Sequence, residues 1–272
     1  MKLTFIGGGN MAIAILGGLM QRGYRGQDVL VIEPDADKRQ QLQQDWQVNV
    51  AEPGTAIPAS DIIVLAVKPQ QMRGVAEALA PQIGSALVIS IAAGIKLETL
   101  GRWLGGHGRL VRVMPNTPAL VQAGISGALA SAGATDADRR QAEAILAAIG
   151  DVVWVDKESE LDGITAISGS GPAYVFYFIE ALQAAARAQG FNQDTARKLA
   201  YQTFAGAIKL AMNSSDDAET LRHKVTSKGG TTERAINALE TSQVRATIIA
   251  AASAAAARSR ELGEELGRDP QE

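Results

Sequence analysis

The sequence predicts an α/β protein, with a doubly wound, parallel β-sheet in the first part of the chain and an all-α helical C-terminal domain after it. Three observations carry the prediction. Short apolar runs alternate with amphipathic stretches from the first residues onward, the βαβ pattern of a parallel sheet. The first apolar run meets Gly7, Gly8 and Gly9 and opens directly into a helical stretch. From about Ser159 the strand signal stops and only helical periodicity continues.

In chain order, the apolar runs 3–6, 29–32, 62–67, 87–91 and 110–114 read as strands, and 152–155 as a last edge strand. Helices are expected at 10–21, at 35–46 after Pro34, at 70–79 after Pro69, and at 136–149 with Thr135 as its N-cap. Beyond residue 159, Gly190, Asn213-Ser214-Ser215-Asp216 and Lys228-Gly229-Gly230 break the helical pattern. The division expected is 1–158 for a sheet domain and 159–272 for a helical one. The last helix contains seven alanines and one serine in residues 250–257, side chains that let backbones approach but bury little area each. With 5 Phe, 3 Trp and 4 Tyr in the whole chain, these helices lack the bulk for an isolated core. They are expected to interlock with a second subunit as a homodimer.

Composition removes several classes. Lys and Arg number 26 against 29 Asp and Glu, a net charge of -3, so there is no basic footprint for nucleic acid. With no cysteine, disulfides, thiolate nucleophiles and cysteine metal sites are excluded together. The opening apolar run is too short for a signal peptide, and no run reaches the roughly 18 apolar residues of a membrane span. A cytoplasmic location without membrane contact is the default expectation. His107 lies in a glycine-rich loop and His223 follows Arg222 on a helix, so both read as surface residues. No Ser-His-Asp arrangement or spaced carboxylate pair suggests hydrolysis, and no metal cluster is visible. The chemistry must come from a cofactor.

Gly7-Gly8-Gly9-Asn10-Met11-Ala12 fits G-x-G-x-x-A at a strand-to-helix junction, the fingerprint of a Rossmann-like dinucleotide-binding domain. Gly7 permits the tight turn, Gly9 lets a pyrophosphate approach the backbone, and Ala12 lets the helix pack near the sheet. The N-terminal amides of that helix face the anion. Glu33, at the end of the second strand, would accept hydrogen bonds from the adenosine ribose and repel a 2′-phosphate, which favours NADH. Lys38 and Arg39 follow a turn later, either as a solvated face or as phosphate ligands. The choice between NADPH and NADH stays open on these residues.

Six blocks, in order, resemble the pyrroline-5-carboxylate reductase family. They are the glycine fingerprint, Ala66-Val67-Lys68-Pro69-Gln70, Ser90-Ile91-Ala92-Ala93-Gly94, Met114-Pro115-Asn116-Thr117-Pro118, Ser168-Gly169-Ser170-Gly171-Pro172-Ala173-Tyr174, and Val225-Thr226-Ser227-Lys228-Gly229-Gly230-Thr231-Thr232. The resemblance spans nearly the whole chain, and Lys228 departs from the family's usual proline.

The resemblance implies NADPH as cofactor, with NADH open because of Glu33. It places Gly7, Gly8, Gly9, Asn10, Met11, Glu33, Val67, Lys68, Pro69, Ala92, Ala93, Gly94, Pro115 and Asn116 along the cofactor. The second and third blocks fall just after strands, where open α/β sheets bind ligands. Two prolines around Asn116 and Thr117 would hold the nicotinamide loop in one shape. Ser227, Gly229, Gly230, Thr231 and Thr232 would seat pyrroline-5-carboxylate. The glycine and Thr231 amides are expected to converge on its carboxylate, and the Thr232 hydroxyl, as catalytic group, would reach the ring nitrogen. Proline would be the product. A homodimer is implied, with a larger assembly such as a decamer open. Two other readings keep the fold: reduction of another imine or a hydroxy acid, and a non-catalytic nicotinamide-binding regulator. Residues 168–174 contain no lysine of the kind hydroxy-acid enzymes of this shape place near the nicotinamide.

Overall fold

A computed structural model describes residues 1–268. The chain divides into two compact units, one comprising Met1–Ser170 with the segment from Ala255 onward, the other Gly171–Ala254.

The first unit is built on one eight-stranded sheet. In chain order it contains β1 (Leu3–Ile6), α1 (Asn10–Gln21), β2 (Val29–Ile32), α2 (Ala36–Trp46), β3 (Asn49–Ala51), β4 (Ile62–Leu65), α3 (Pro69–Leu79), β5 (Leu87–Ser90), α4 (Leu97–Trp103), β6 (Leu110–Met114), β7 (Gly124–Ala130), α5 (Asp136–Leu146), β8 (Gly150–Trp154) and α6 (Glu158–Ile164). Spatial order is β3-β2-β1-β4-β5-β6-β7-β8. β1, β4 and β5 are buried throughout, as expected of strands covered on both faces. One apolar layer packs α1, α2 and α5 on the sheet through Ile15, Leu16, Leu42 and Ile145. The other packs α3 and α4 through Met72, Leu79, Leu100 and Trp103. The doubly wound class expected from the alternation is therefore present.

Three elements differ from the sequence reading. β3 is three residues long with Asn49 exposed, too short and polar for a periodicity signal. The helix α4 follows Gly94 and has no proline or side-chain cap to mark its start. The third, β7, breaks the all-parallel expectation, since it runs antiparallel to β6 and parallel to β8. Its sequence, GISGALA, has little strand propensity; ladders on both sides hold it. Both of its glycines are required by packing, because a Cβ on Gly127 would lie 2.7 Å from Ile164 and one on Gly124 2.8 Å from the Ile149 carbonyl oxygen.

The helix α5 begins as expected. Thr135 and Asp138 form a reciprocal capping box. Asp138, fully buried, also holds the Arg109 guanidinium at 2.5 Å, and that hydrogen-bonded ion pair keeps its carboxyl low, at about 2. A second buried cation, Arg112 on β6, pairs with Glu158, whose other oxygen accepts from the Leu97 amide at 2.7 Å.

The second unit contains α7 (Gly171–Ala188), α8 (Gln193–Met212), α9 (Ala218–Lys224), α10 (Thr231–Thr241) and the first part of α11 (Val244–Gly267). Asn192 and Asp217 cap α8 and α9 by accepting from Thr195 and Thr220. Among residues 171–254, only Ala196 and Ala200 are buried. The remainder of α11 belongs to the sheet unit, where Ser259 donates to Asp162 at 2.7 Å. No helix among the described residues is long and apolar enough to cross a membrane.

Candidate active site

The strand order reverses direction at β1, between β2 and β4, and the carboxyl end of that junction is where an open α/β sheet has its crevice. The glycine loop sits there. The Gly7 amide donates to the Ile32 carbonyl and the Ala66 amide to the Ile6 carbonyl, each at 2.8 Å. Gly7 has φ +101°, and a Cβ on it would lie 2.6 Å from the Ala66 carbonyl oxygen. Only glycine satisfies both the dihedral and the approach. By contrast, a Cβ on Gly9 would meet no protein atom within 4 Å. Gly9 is also the N-cap residue of α1, with no side chain capping the helix. The open face and the uncapped amides of Asn10, Met11 and Ala12 fit an incoming pyrophosphate.

Glu33 is buried at the tip of β2. One carboxylate oxygen accepts from the Gly8 amide at 2.7 Å and the other from the Asp35 amide at 3.2 Å. Val67 and Lys68 leave β4 beside this loop, and Pro69 starts α3 at the position where its missing N–H costs nothing. Past β5, Ala92 is buried and Ala93 exposed. Gly94 has φ +79°, the left-handed backbone that favours glycine, and its Cβ direction faces the Leu266 side chain at the end of α11, 3.1 Å away.

Past β6, Pro115 and Asn116 are buried. The Asn116 amide nitrogen donates to the Ser168 carbonyl at 3.1 Å, and its oxygen accepts from the Ile125 amide at 3.0 Å. Both ends of the side chain are thus engaged, and Asn116 ties the loop to β7 and to the single π turn at Thr165–Gly169. That turn lets Gly169 pass Met114, whose methyl would lie 2.8 Å from an added Cβ. The Pro-Asn-Thr-Pro loop is held by these contacts as well as by its prolines.

In the helical unit, taken by itself, Ser227 to Thr232 forms a turn into α10. Gly229 has φ +75°, and Gly230 is the N-cap residue, with no side-chain cap. A Cβ on Gly230 would strike the Ser227 hydroxyl at 2.9 Å. Two of the three amides assigned to an anion from the sequence already have partners. The Gly229 amide donates to Glu233 at 2.7 Å and the Gly230 amide to the Ser227 carbonyl at 3.0 Å. The amides at the uncapped start of α10 belong to Thr231 and Thr232, one step further along, and both side chains are exposed. Glu233 was missed from the sequence, although an acid in the first turn of a helix is a recognised cap signal.

Neither histidine joins these groups. The His107 ring is half-buried and hydrogen-bonds the Ala86 carbonyl at 2.9 Å, a loop tether; His223 is exposed near Glu219. Among the described residues no group of three or more His, Asp or Glu side chains could hold a metal ion.

A family described as pyrroline-5-carboxylate reductase dimerisation matches residues 158–262, and one described as NADP oxidoreductase coenzyme F420-dependent matches residues 2–94. The chain is 40% identical to the pyrroline-5-carboxylate reductase of Pseudomonas aeruginosa over 98% of both chains. It is 41% identical to that of Vibrio alginolyticus, covering 96% of this chain and 97% of the other. Among solved structures, a pyrroline-5-carboxylate reductase from Coxiella burnetii superposes with a TM-score of 0.90 at 41% identity, covering 96% of this chain and 98% of that one. Plasmodium falciparum pyrroline carboxylate reductase, with NADP bound, superposes with a TM-score of 0.84 at 29% identity over 97% and 98%. The fold, the ordered motifs and the full-length identity together place this chain in the pyrroline-5-carboxylate reductase family.

Proposed function

We propose that the protein reduces L-1-pyrroline-5-carboxylate to L-proline, the last step of proline biosynthesis, using a nicotinamide cofactor. The observation that carries the reading is full-length identity of about 40% to reductases of that name, in a chain that keeps both glycine turns. In this reading residues 1–158 bind the dinucleotide and residues 159–272 bind substrate and form the dimer; residues 269–272 lie outside the described residues.

Reduced nicotinamide, when bound, supplies the hydride that the imine carbon accepts. This chain's own residues hold the reactants. The open face of Gly9 and the amides of α1 seat the pyrophosphate, and Val67 to Pro69 line the same crevice. The loop of Pro115 and Asn116, braced at both ends of the Asn116 side chain, presents one fixed surface to the ring. At the start of α10, the Thr231 and Thr232 amides take the substrate carboxylate, helped by the Ser227 hydroxyl. The Thr232 hydroxyl hydrogen-bonds the ring nitrogen, which carries its proton in the iminium form and keeps it when hydride adds to the carbon. A protonated imine is already electrophilic, so orientation supplies most of the acceleration and no strong general acid is required.

The helical unit buries almost nothing of itself, and Phe176, Tyr177, Met212 and Ile249 stand exposed. This supports a homodimer through that unit, in keeping with the dimerisation family matched there. Mixing purified protein with pyrroline-5-carboxylate and reduced cofactor, following nicotinamide absorbance and identifying proline tests the function. Cofactor binding without turnover of this imine would defeat it.

A further inference from the structure

We infer that Glu33 makes this chain prefer NADH over NADPH; the inference rests on the assignment of the glycine crevice to a dinucleotide. A 2′-phosphate can be received at the tip of the second strand in three ways: by a small or neutral residue there, by an arginine fork, or by free amides at the start of the next helix. Each is closed in this structure.

The strand-tip residue is a buried carboxylate. Because its oxygens are fixed by the Gly8 amide at 2.7 Å and the Asp35 amide at 3.2 Å, it is not a loose side chain that swings away for a guest. The Gly8 tie also joins it to the turn that would carry the pyrophosphate, so the acceptor and the phosphate seat are held as one piece. Its remaining lone pairs suit ribose hydroxyl donors, whereas a phosphate brought to the same place meets a fixed like charge.

The arginine fork is present but committed elsewhere. One terminal nitrogen of Arg39 donates to the carbonyls of Glu33 and Pro34 at 2.7 and 2.8 Å, and the other pairs with Glu52 at 2.8 Å. Its side chain is only 15% exposed. The sequence alternative of Arg39 as a phosphate ligand is thereby used up on the backbone it follows.

Two amides in the first turn of α2 are closed by a side chain. One Asp35 carboxylate oxygen accepts from Asp37 at 3.0 Å and Lys38 at 3.2 Å. Asp37 adds another negative charge in that first turn. Lys38 is a single exposed ammonium on a flexible stem, set against Glu33, Asp35 and Asp37.

Calorimetric titration of the intact protein with NADH and NADPH, and with ADP-ribose and its 2′-phosphate, reads the preference without turnover. The unphosphorylated member of each pair should bind at least about tenfold tighter. In Glu33→Gln, which keeps an acceptor oxygen for Gly8 and removes the charge, that ratio should shrink about tenfold, with kcat/KM ratios following. Should the variant misfold, the wild-type ratios decide alone. Equal or tighter binding of the phosphorylated forms overturns the inference, and an unchanged ratio in a folded Glu33→Gln removes Glu33 from it. If none of the four nucleotides binds, the crevice assignment itself falls, and this inference with it.

Discussion

The two units of this chain solve the burial problem in opposite ways. The sheet unit carries nearly all of the buried apolar side chains, in two layers on either face of the strands. The Gly171–Ala254 unit buries two alanines and leaves Phe176, Tyr177, Ile208, Met212 and Ile249 exposed by 58% or more, although side chains cap two of its helices, α8 and α9. Local capping makes helices begin and end, but it does not supply a core. The cofactor end therefore rests on a self-sufficient scaffold, while the proposed substrate end belongs to a unit that needs more surface than its own.

Four experiments put that contrast to the test. The largest effect belongs to Gly9→Val. The space in front of Gly9 is free of protein atoms, so the variant should fold with an unchanged melting temperature and lose cofactor binding by at least about a hundredfold. Normal quenching of nicotinamide fluorescence on titration would contradict the fingerprint. Next is Phe176→Glu, which places a charge on the exposed apolar side of α7. Dimer dissociation should strengthen by roughly two orders of magnitude in sedimentation velocity, with nucleotide binding to the sheet unit retained. A variant that sediments like wild type at every concentration would remove α7 from the interface.

Thr232→Ala comes third. Turnover should fall by about ten- to a hundredfold with circular dichroism unchanged, and if both kcat and KM stay at wild-type values the hydroxyl has no role at the ring nitrogen. The smallest effect is confined to the sheet unit. The folded-state carboxyl of Asp138 titrates at about 2 against an ordinary 3.8, so its contribution is complete above the ordinary value and fades as pH falls toward 2. With partly exposed Arg109 as partner, Asp138→Asn should cost about 1–2 kcal/mol at pH 7 in urea unfolding, and the gap from wild type should narrow between pH 4 and pH 2, roughly. A gap independent of pH across that range would assign the loss to the capping box and not to the charge.

The class of fold, the glycine crevice, the helical second half and the family are all legible in the sequence. Those features are written in local terms. Strand and helix periods lie within a few neighbours, and a glycine at φ +101° against a carbonyl leaves its mark at its own position. Tertiary structure decided the rest. β7 is a weak strand made by the ladders of β6 and β8, and Asn116 becomes a brace only because Ser168 and Ile125 arrive on either side of it. Arg39 reads from the sequence as a solvated face, with a phosphate ligand as the alternative, until the carbonyls of Glu33 and Pro34 take its fork. The Gly229 amide looks free until Glu233 turns back onto it. Each of these outcomes is a choice of hydrogen-bond partner, and a polar group's partner is set by what packing brings within about 3 Å, which residue type alone does not specify.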